Sequence, residues 1–391
     1  MAKKRIGVLT GGGDVPGLSI AIKSIVMNSQ DFDFEIVGIR RGWLGLLGYD
    51  MDDPATHELY IQDLNPIVVR RVDRSGGTFL HTSRTNPAKV RPEETPEFLR
   101  QTSYGTVIDP KTGTKDYTDY ILKVIDHLKL DSLITIGGDD TLSFSAKLQK
   151  EGIKIIAIPK TMDNDVLGTD YCIGFSTAIT SGVNHITNFR SSVGSHERIG
   201  VVELFGRNSG ETALITGYLA HVDRTIICEV PFDLEKLVYM LDTDKKTNPS
   251  HYSLVVISEG AMPIGGHVMQ TGTPDAYGHR KLGGVGEMLS EKIKEISGNN
   301  TMYQRLGYLV RSGPADILDR MVSMNFGLLA FQLTCKGEFG KLVGITNGTY
   351  STVPIETVIS GKRHVDVERY YDVKNYQTKV NSVLGLPMFL H

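Results

Sequence analysis

Short apolar runs rich in Val, Ile and Leu recur along this chain. The stretches between them repeat their apolar residues every three to four positions. Arg5–Thr10, Glu35–Ile39, Ser132–Ile136, Lys154–Ile158, Ile199–Leu204, Thr225–Val230, Leu254–Ser258 and Leu342–Ile345 read as strands. Leu18–Met27, Tyr120–Leu128, Leu142–Leu148, Thr177–Phe189 and Val285–Ile296 read as helices. Runs this continuously apolar suit strands whose sheet is covered by helices on both faces. The alternation restricts the chain to right-handed βαβ units, mainly parallel sheets and an α/β fold.

Ligands of such sheets sit outside the carboxyl ends of the strands. Two of those ends are unusually charged. The run DSLITI gives way to Gly137-Gly138-Asp139-Asp140-Thr141, and KIIAI to Pro159-Lys160-Thr161-Met162-Asp163-Asn164-Asp165. Four carboxylates and a lysine at neighbouring strand ends suit a metal ion and a phosphate, and hence phosphoryl transfer. A third turn, Thr10-Gly11-Gly12-Gly13-Asp14-Val15-Pro16-Gly17, joins the first strand to the first helix. Its glycines let backbone N–H groups approach an anion at a helix N-terminus. Alone it is as readily a plain tight turn; beside the other two it extends one phosphate theme. Asp140 and Lys160 stand where a nucleotide phosphate would be better served by glycine.

Composition narrows the function classes. With 391 residues and 40% hydrophobic content, the chain can bury cores for two or three domains. A net charge of −3 and the lack of any long Lys/Arg run argue against nucleic-acid binding. Cys172, Cys228 and Cys335, odd in number and widely spaced, read as reduced thiols in a cytoplasmic protein. The basic Lys3-Lys4-Arg5 precedes only Ile6–Leu9, which reads as a first strand rather than a signal peptide. No run approaches the ~18 apolar residues of a membrane span, and the eleven histidines form no close pair for zinc. Asn86 to Lys115 reads as an inserted loop or small helical excursion, and Pro263 to Leu282, with four glycines, as a mobile connection. The tail after Gly361 has some amphipathic pattern and is expected to pack back on the body.

Seven segments carry a family resemblance. GVLTGGGDVPGL, GGTFLHTSR, GGDDT, PKTMDND, HERIGVVELFGRNSGE, ISEGA and GYLVRSGPADILDR resemble the phosphofructokinases in the same order, across roughly residues 5 to 330. The resemblance implies two Rossmann-like three-layer domains with mainly parallel sheets and an active site in the cleft between them. Residues 1–174 plus about 310–360 would handle the phosphoryl donor, and 175–309 plus about 361–391 the sugar phosphate. ATP-dependent members have glycine where this chain has Asp140 and Lys160, whereas pyrophosphate-using members typically have this Asp and this Lys. Physically, the Asp would fill and repel the place of an ATP α-phosphate. The Lys would give a pyrophosphate oxygen a compact positive charge. A surface Asp and Lys pairing across adjacent turns is the plainer alternative.

The activity so implied is reversible, Mg2+-dependent transfer from pyrophosphate to the C1 hydroxyl of fructose 6-phosphate, giving fructose 1,6-bisphosphate and phosphate. ATP as donor, or another acceptor such as sedoheptulose 7-phosphate, are the nearer alternatives. A non-catalytic regulatory subunit should have lost acids that are present here. A lipid or NAD kinase relative would share only the GGD turn.

By the same resemblance Asp163 is the general base, with Thr161, Arg207 and Lys160 acting on the phosphoryl group. Gly12, Gly13, Arg84, Asp140 and Lys160 would bind pyrophosphate, and Asp139 and Asp165 would neighbour Mg2+. Thr161, Asp163, Asp165, Arg198, Phe205, Gly206, Arg207, Glu259, Tyr308 and Arg311 would meet the sugar phosphate. The residue matching Arg198 usually reaches in from a neighbouring subunit, which implies a homodimer or homotetramer. Several positions depart from the family. Phe205 replaces a usual Met, Tyr308 a frequent His, and Met302 a common arginine for which nearby Arg305 is a candidate substitute. Lys23 keeps an effector-site charge while Met27 replaces an arginine, so weak or absent allosteric control is expected. Trp43 falls near the adenine-stacking position of ATP-using relatives, with packing under a loop as the other reading.

Overall fold

The apolar runs gather into two sheets of unequal size. The computed structural model describes residues 3–271, 278 and 280–385. Residues 272–277 and 279, inside the Pro263–Leu282 stretch, lie outside the described residues, as do 1, 2 and the tail end 386–391. The strands of the two sheets are β1 (Lys4–Thr10), β2 (Phe34–Ile39), β3 (Ile61–Leu64), β4 (Ser132–Gly137), β5 (Ile155–Pro159), β6 (Ile199–Leu204), β7 (Arg224–Ile226), β8 (Ser253–Ser258), β9 (Thr301–Arg305), β10 (Lys341–Thr346) and β11 (Thr349–Pro354). The larger sheet runs β11-β10-β5-β4-β1-β2-β3 and the smaller β9-β6-β8-β7. All pairings are parallel except β2–β3 and β10–β11, which close the two edges of the larger sheet.

Burial explains which strands the sequence announces. Every residue of β4, β5, β6 and β8 is buried, so each is a continuous apolar run. The edge strands β3 and β11 and the half-buried β9 face partly to solvent and carry no such run. The strand expected over Thr225–Val230 is only Arg224–Ile226. Beyond it the Glu229 carboxylate accepts backbone N–H groups from Gly210 and Val365 at 2.9 Å each, which holds the chain off the sheet.

Helices α1 (Leu18–Asn28), α2 (Thr118–His127), α3 (Asp139–Lys150), α4 (Phe175–Ser195), α5 (Glu211–Leu219), α6 (Leu234–Thr247), α7 (Val285–Ser297) and α8 (Ile317–Lys336) cover the sheets. The long α8 escapes the periodic reading because its apolar residues run round the whole helix. Its ends are nonetheless marked: Asp316 caps it by accepting from Asp319 N–H, and Gly337 ends it at φ 73°. It crosses α1 at close range, where a Cβ on Gly327 would stand 2.6 Å from the Ala21 carbonyl oxygen. Each fully buried aliphatic or aromatic side chain at that crossing contributes roughly 1.5–3 kcal/mol. Asp319, in the first turn of α8, is fully buried and accepts from Gly174 N–H, Thr177 N–H and the Tyr171 hydroxyl at 2.7–2.8 Å. It thereby caps α4. Burial lifts its pKa to about 6.

The Asn86–Lys115 insertion holds short helical turns at Pro92–Glu94 and Glu97–Gln101 and part of a small hairpin, Thr106–Asp109 with Thr114–Asp116. The tail packs back, burying Tyr370, Tyr371 and Tyr376 in the smaller sheet's core, with the Tyr371 hydroxyl on Thr225 O at 2.7 Å. Cys172, Cys228 and Cys335 are free thiols. No helix among the described residues is long and apolar enough to cross a membrane.

The strand order locates a site. β1 and β4 are neighbours, yet the strands that follow them, β2 and β5, lie on opposite sides. Their carboxyl ends therefore open a crevice at a topological switch point. The ends of β6, β8 and β9 line the same cleft, which encloses about 970 Å³.

Candidate active site

Two glycines fix the donor end. A Cβ on Gly11 would stand 2.5 Å from Thr141 Oγ1, so the turns after β1 and β4 can touch only if Gly11 has no side chain. Gly12 adopts φ 80°, donates its N–H to Ser83 O at 2.9 Å and accepts from Thr82 Oγ1 at 2.7 Å. That clasp sets the segment carrying Arg84 against the first turn. Asp139 and Asp140 form the first residues of α3, where the helix N-terminus favours negative charge.

Lys160 directly follows β5 and is only 4% exposed. Its Nζ donates to Gly13 O at 2.7 Å and lies 3.3 Å from where a Cβ on Gly12 would be. Burial, reinforced by Arg311 and Arg84, pushes its pKa down to about 8. Trp43 is buried away from the cleft, edge-on to Phe144, with Nε1 donating to Thr141 O at 3.2 Å. Of its two readings, packing is the one realised.

The acid turn pivots on Asn164. This residue is fully buried at φ 53°, a left-handed conformation that Asn tolerates better than most. Its side chain donates to Asp170 O at 2.9 Å and Glu211 Oε2 at 3.3 Å, and accepts from Cys172 N–H at 2.8 Å. Pinned there, it leaves Asp163 and Asp165 on the cleft wall. Asp163 Oδ2 accepts the Arg207 N–H at 3.5 Å, while its Oδ1 is buried without a hydrogen-bond partner among the described residues. Burial, then the charges of Asp165 and Glu259, raise the Asp163 pKa well above the usual carboxylate range. Asp165 is raised too, by burial and then by Asp139, and accepts from Asn208 Nδ2 at 3.3 Å.

At the other end, Gly206 takes φ 137°, and a Cβ there would stand 2.2 Å from Ser258 Oγ. The turn it permits leads into Arg207, whose Nη2 donates to Arg280 O at 2.7 Å. Glu259 is buried, and burial raises its pKa to about 7 against the lowering pull of Arg305 and Arg207. Arg305 points into the cleft, its Nε 3.1 Å from Glu203 Oε1 and its Nη2 3.4 Å from Glu259 Oε2. Met302 instead packs against the apolar core. Arg311 pairs with Asp14 at 2.9 Å and lies 4.6 Å above the Tyr308 ring, which meets Phe205 edge-on.

Every residue assigned above to donor, metal or sugar lines this cleft except Gly206, which shapes its turn, and Arg198. Arg198 immediately precedes β6, at the end of that strand opposite the cleft. Sequence reasoning missed Lys362, whose Nζ is 2.7 Å from Asp139 Oδ2. The basic run Lys362-Arg363-His364 was its only trace in the sequence. Among the described residues no cluster of three or more His, Cys, Asp or Glu could hold a metal. Asp139 and Asp165 instead suit Mg2+, which takes one or two carboxylates and fills its shell with water and substrate oxygens.

A family model described as phosphofructokinase matches residues 5–334. The chain belongs to the phosphofructokinase family. Relatives named pyrophosphate--fructose 6-phosphate 1-phosphotransferase include those of Amycolatopsis methanolica, 35% identical over 95% of this phosphofructokinase and 98% of the relative, and Dictyoglomus thermophilum, 36% identical over 97% and 100%. A relative from Chloroflexus aggregans, 32% identical over 90% of each chain, is named ATP-dependent 6-phosphofructokinase. The crystal structure of a pyrophosphate-dependent phosphofructokinase from Nitrosospira multiformis superposes with a TM-score of 0.78 at 18% identity, covering 99% of this phosphofructokinase and 92% of that chain. At that identity it establishes the fold alone. The protein is a phosphoryl-transferring enzyme.

Proposed function

We propose that this phosphofructokinase transfers a phosphoryl group reversibly from pyrophosphate to the C1 hydroxyl of fructose 6-phosphate, forming fructose 1,6-bisphosphate and phosphate. The observation that carries the donor reading is the seat of Lys160. Its ammonium lies on Gly13 O and against Gly12, filling the turn with charge and leaving less room for a nucleotide's further phosphate. Asp140 lines the same end, and Trp43 offers no face for an adenine ring. The Chloroflexus relative's name keeps ATP as the second reading.

In this reading Asp163 takes the C1 hydroxyl proton on Oδ1, the carboxylate oxygen that lacks a partner, and burial, by raising its pKa, makes it a stronger base than an exposed carboxylate. The freed hydroxyl oxygen bonds to phosphorus as the bridging P–O bond of pyrophosphate breaks, and the departing phosphate carries away that electron pair. Thr161 and Arg207 hold the phosphoryl oxygens, and Lys160, Arg84 and the Gly12 and Gly13 turn hold the leaving phosphate. Asp139 and Asp165 would hold Mg2+, which when bound neutralises phosphate charge. Phe205, Gly206, Glu259, Arg305, Tyr308 and Arg311 form the sugar-phosphate end. Residues 1–174 and 310–360 would serve the donor, and 175–309 and 361–391 the sugar. Arg198 would serve the cleft of a second copy, in a cytoplasmic homodimer or homotetramer. Lys23, tied to Asp73 at 2.8 Å, accords with weak allosteric control.

The test supplies fructose 6-phosphate and Mg2+ with either pyrophosphate or ATP and measures fructose 1,6-bisphosphate. Product is expected with pyrophosphate; activity with ATP alone overturns the reading. The double variant Asp140→Gly with Lys160→Gly should lose pyrophosphate use, and unchanged pyrophosphate kinetics would clear both residues of donor selection.

A further inference from the structure

We propose that Lys362 is a pyrophosphate-binding residue, a further donor-site cation delivered from the tail; the proposal rests on the pyrophosphate reading above. The charge at the donor end motivates it. Asp139, Asp140 and Asp165 face Lys160 and Arg84 there, and Asp14 is already paired with Arg311. Inorganic pyrophosphate is a small polyanion with no nucleoside through which to gain affinity. With Mg2+ held by Asp139 and Asp165, the carboxylate of Asp140 still lines this end against an incoming polyanion, and a further cation in the lining favours its binding. Lys362 supplies that cation. Its ammonium has three N–H donors, one of them directed at Asp139 Oδ2 at 2.7 Å, and 28% of its side chain remains open.

The backbone around Lys362 is built for position. Lys362 forms an antiparallel bridge with Val166, directly after the acid turn. Arg363 N–H donates to Asp165 O and its Nη1 to Asn164 O, both at 3.0 Å, and its guanidinium pairs with Glu211. His364 Nδ1 meets Asn208 O at 2.6 Å. A surface lysine that merely neutralised Asp139 would need none of this lacing. Bonds to Asn164, Asp165 and Asn208 fix the backbone that carries Lys362, so less ordering is left to do when the anion arrives. Lys160 and Lys362 are held differently: the first is buried on the Gly11–Gly13 turn, the second sits open beside the start of α3.

Lys362→Met should raise the Kd for pyrophosphate, by calorimetric titration with Mg2+, and its KM by about 10-fold or more, the range of one charged hydrogen bond. KM for fructose 6-phosphate should stay within about twofold, and Lys362→Arg should recover most of the loss. An unchanged pyrophosphate Kd, or equal losses toward both substrates with a lowered melting temperature, overturns the proposal. A measurement on the wild-type protein is independent of how the variants fold. Pyrophosphate should protect Lys362 from acetylation by acetic anhydride, read by mass spectrometry, and equal labelling with and without it also refutes the role. Wild-type protein that uses ATP alone sinks the donor reading itself. Wild-type protein that turns over pyrophosphate, matched by Lys362→Met, sinks only Lys362.

Discussion

Asn164 sits between two acids assigned to chemistry, yet its own part is conformational, and two substitutions separate the contributions. Asn164→Ala removes the acceptor for the Cys172 N–H and the donors to Asp170 O and Glu211. A buried N–H left without a partner costs about 1–3 kcal/mol. Alanine must also hold φ 53°, at roughly 1–2 kcal/mol for an ordinary L-residue. The total is about 2–5 kcal/mol. Asn164→Gly loses the same hydrogen bonds but not the left-handed strain, while giving back roughly 0.5–1 kcal/mol through a looser unfolded chain. Glycine should therefore be the more stable variant by about 1 kcal/mol, the reverse of the order at ordinary helix positions. Trp43, the single tryptophan and fully buried, reports unfolding in urea by its fluorescence. Both variants should also lose activity by roughly 100-fold, because a shift of about 1 Å in Asp163 is enough for that. An alanine variant at least as stable as the glycine variant, or one with wild-type kcat, would refute the account.

Acidity supplies another test. Glu259 must be ionised to accept sugar hydroxyls and has a pKa raised to about 7, whereas Lys160 must stay charged and has one lowered to about 8. With Asp163 also raised, kcat/KM should fall below about 7 and again above about 8, and a flat profile from about pH 6 to 9 would contradict it. Arg305→Met removes a cation that holds the Glu259 pKa down, so the acid limb should move to higher pH and the sugar-phosphate KM should rise. Asp163→Asn should cost about 10²–10⁴ in kcat, with fructose 6-phosphate binding, measured by titration, nearly unchanged.

What the sequence disclosed follows from how local the information is. β4 and β5 are buried throughout, so their apolar runs and the turns they feed could be read directly, and with them Asp139, Lys160, Asp163 and Asp165. β3, β9 and β11 are edges or half-exposed and left no such pattern, and α8 is apolar on all sides. In the site, Arg305 and Lys362 reach the cleft from a strand end and from the tail, and neither the period nor a turn motif encodes where such side chains point. Asn164 stood inside the most legible motif, yet its left-handed backbone is invisible until Cys172 and Asp170 are seen around it. Arg198 lies at the strand end opposite its own cleft, a placement that the strand order shows and the sequence motif around it does not.

The lacing of the tail onto the acid turn also has a consequence in time. Lys362 is made about 200 residues after Asp165. At roughly 5–20 residues per second of synthesis, the carboxylates of Asp139, Asp163 and Asp165 emerge ~10–40 s before the cation that joins them. Until then their mutual repulsion stands without Lys362. The earlier part of the chain is thus born with an electrostatic fault at its centre, and the site becomes whole only once Lys362 has followed the acids out.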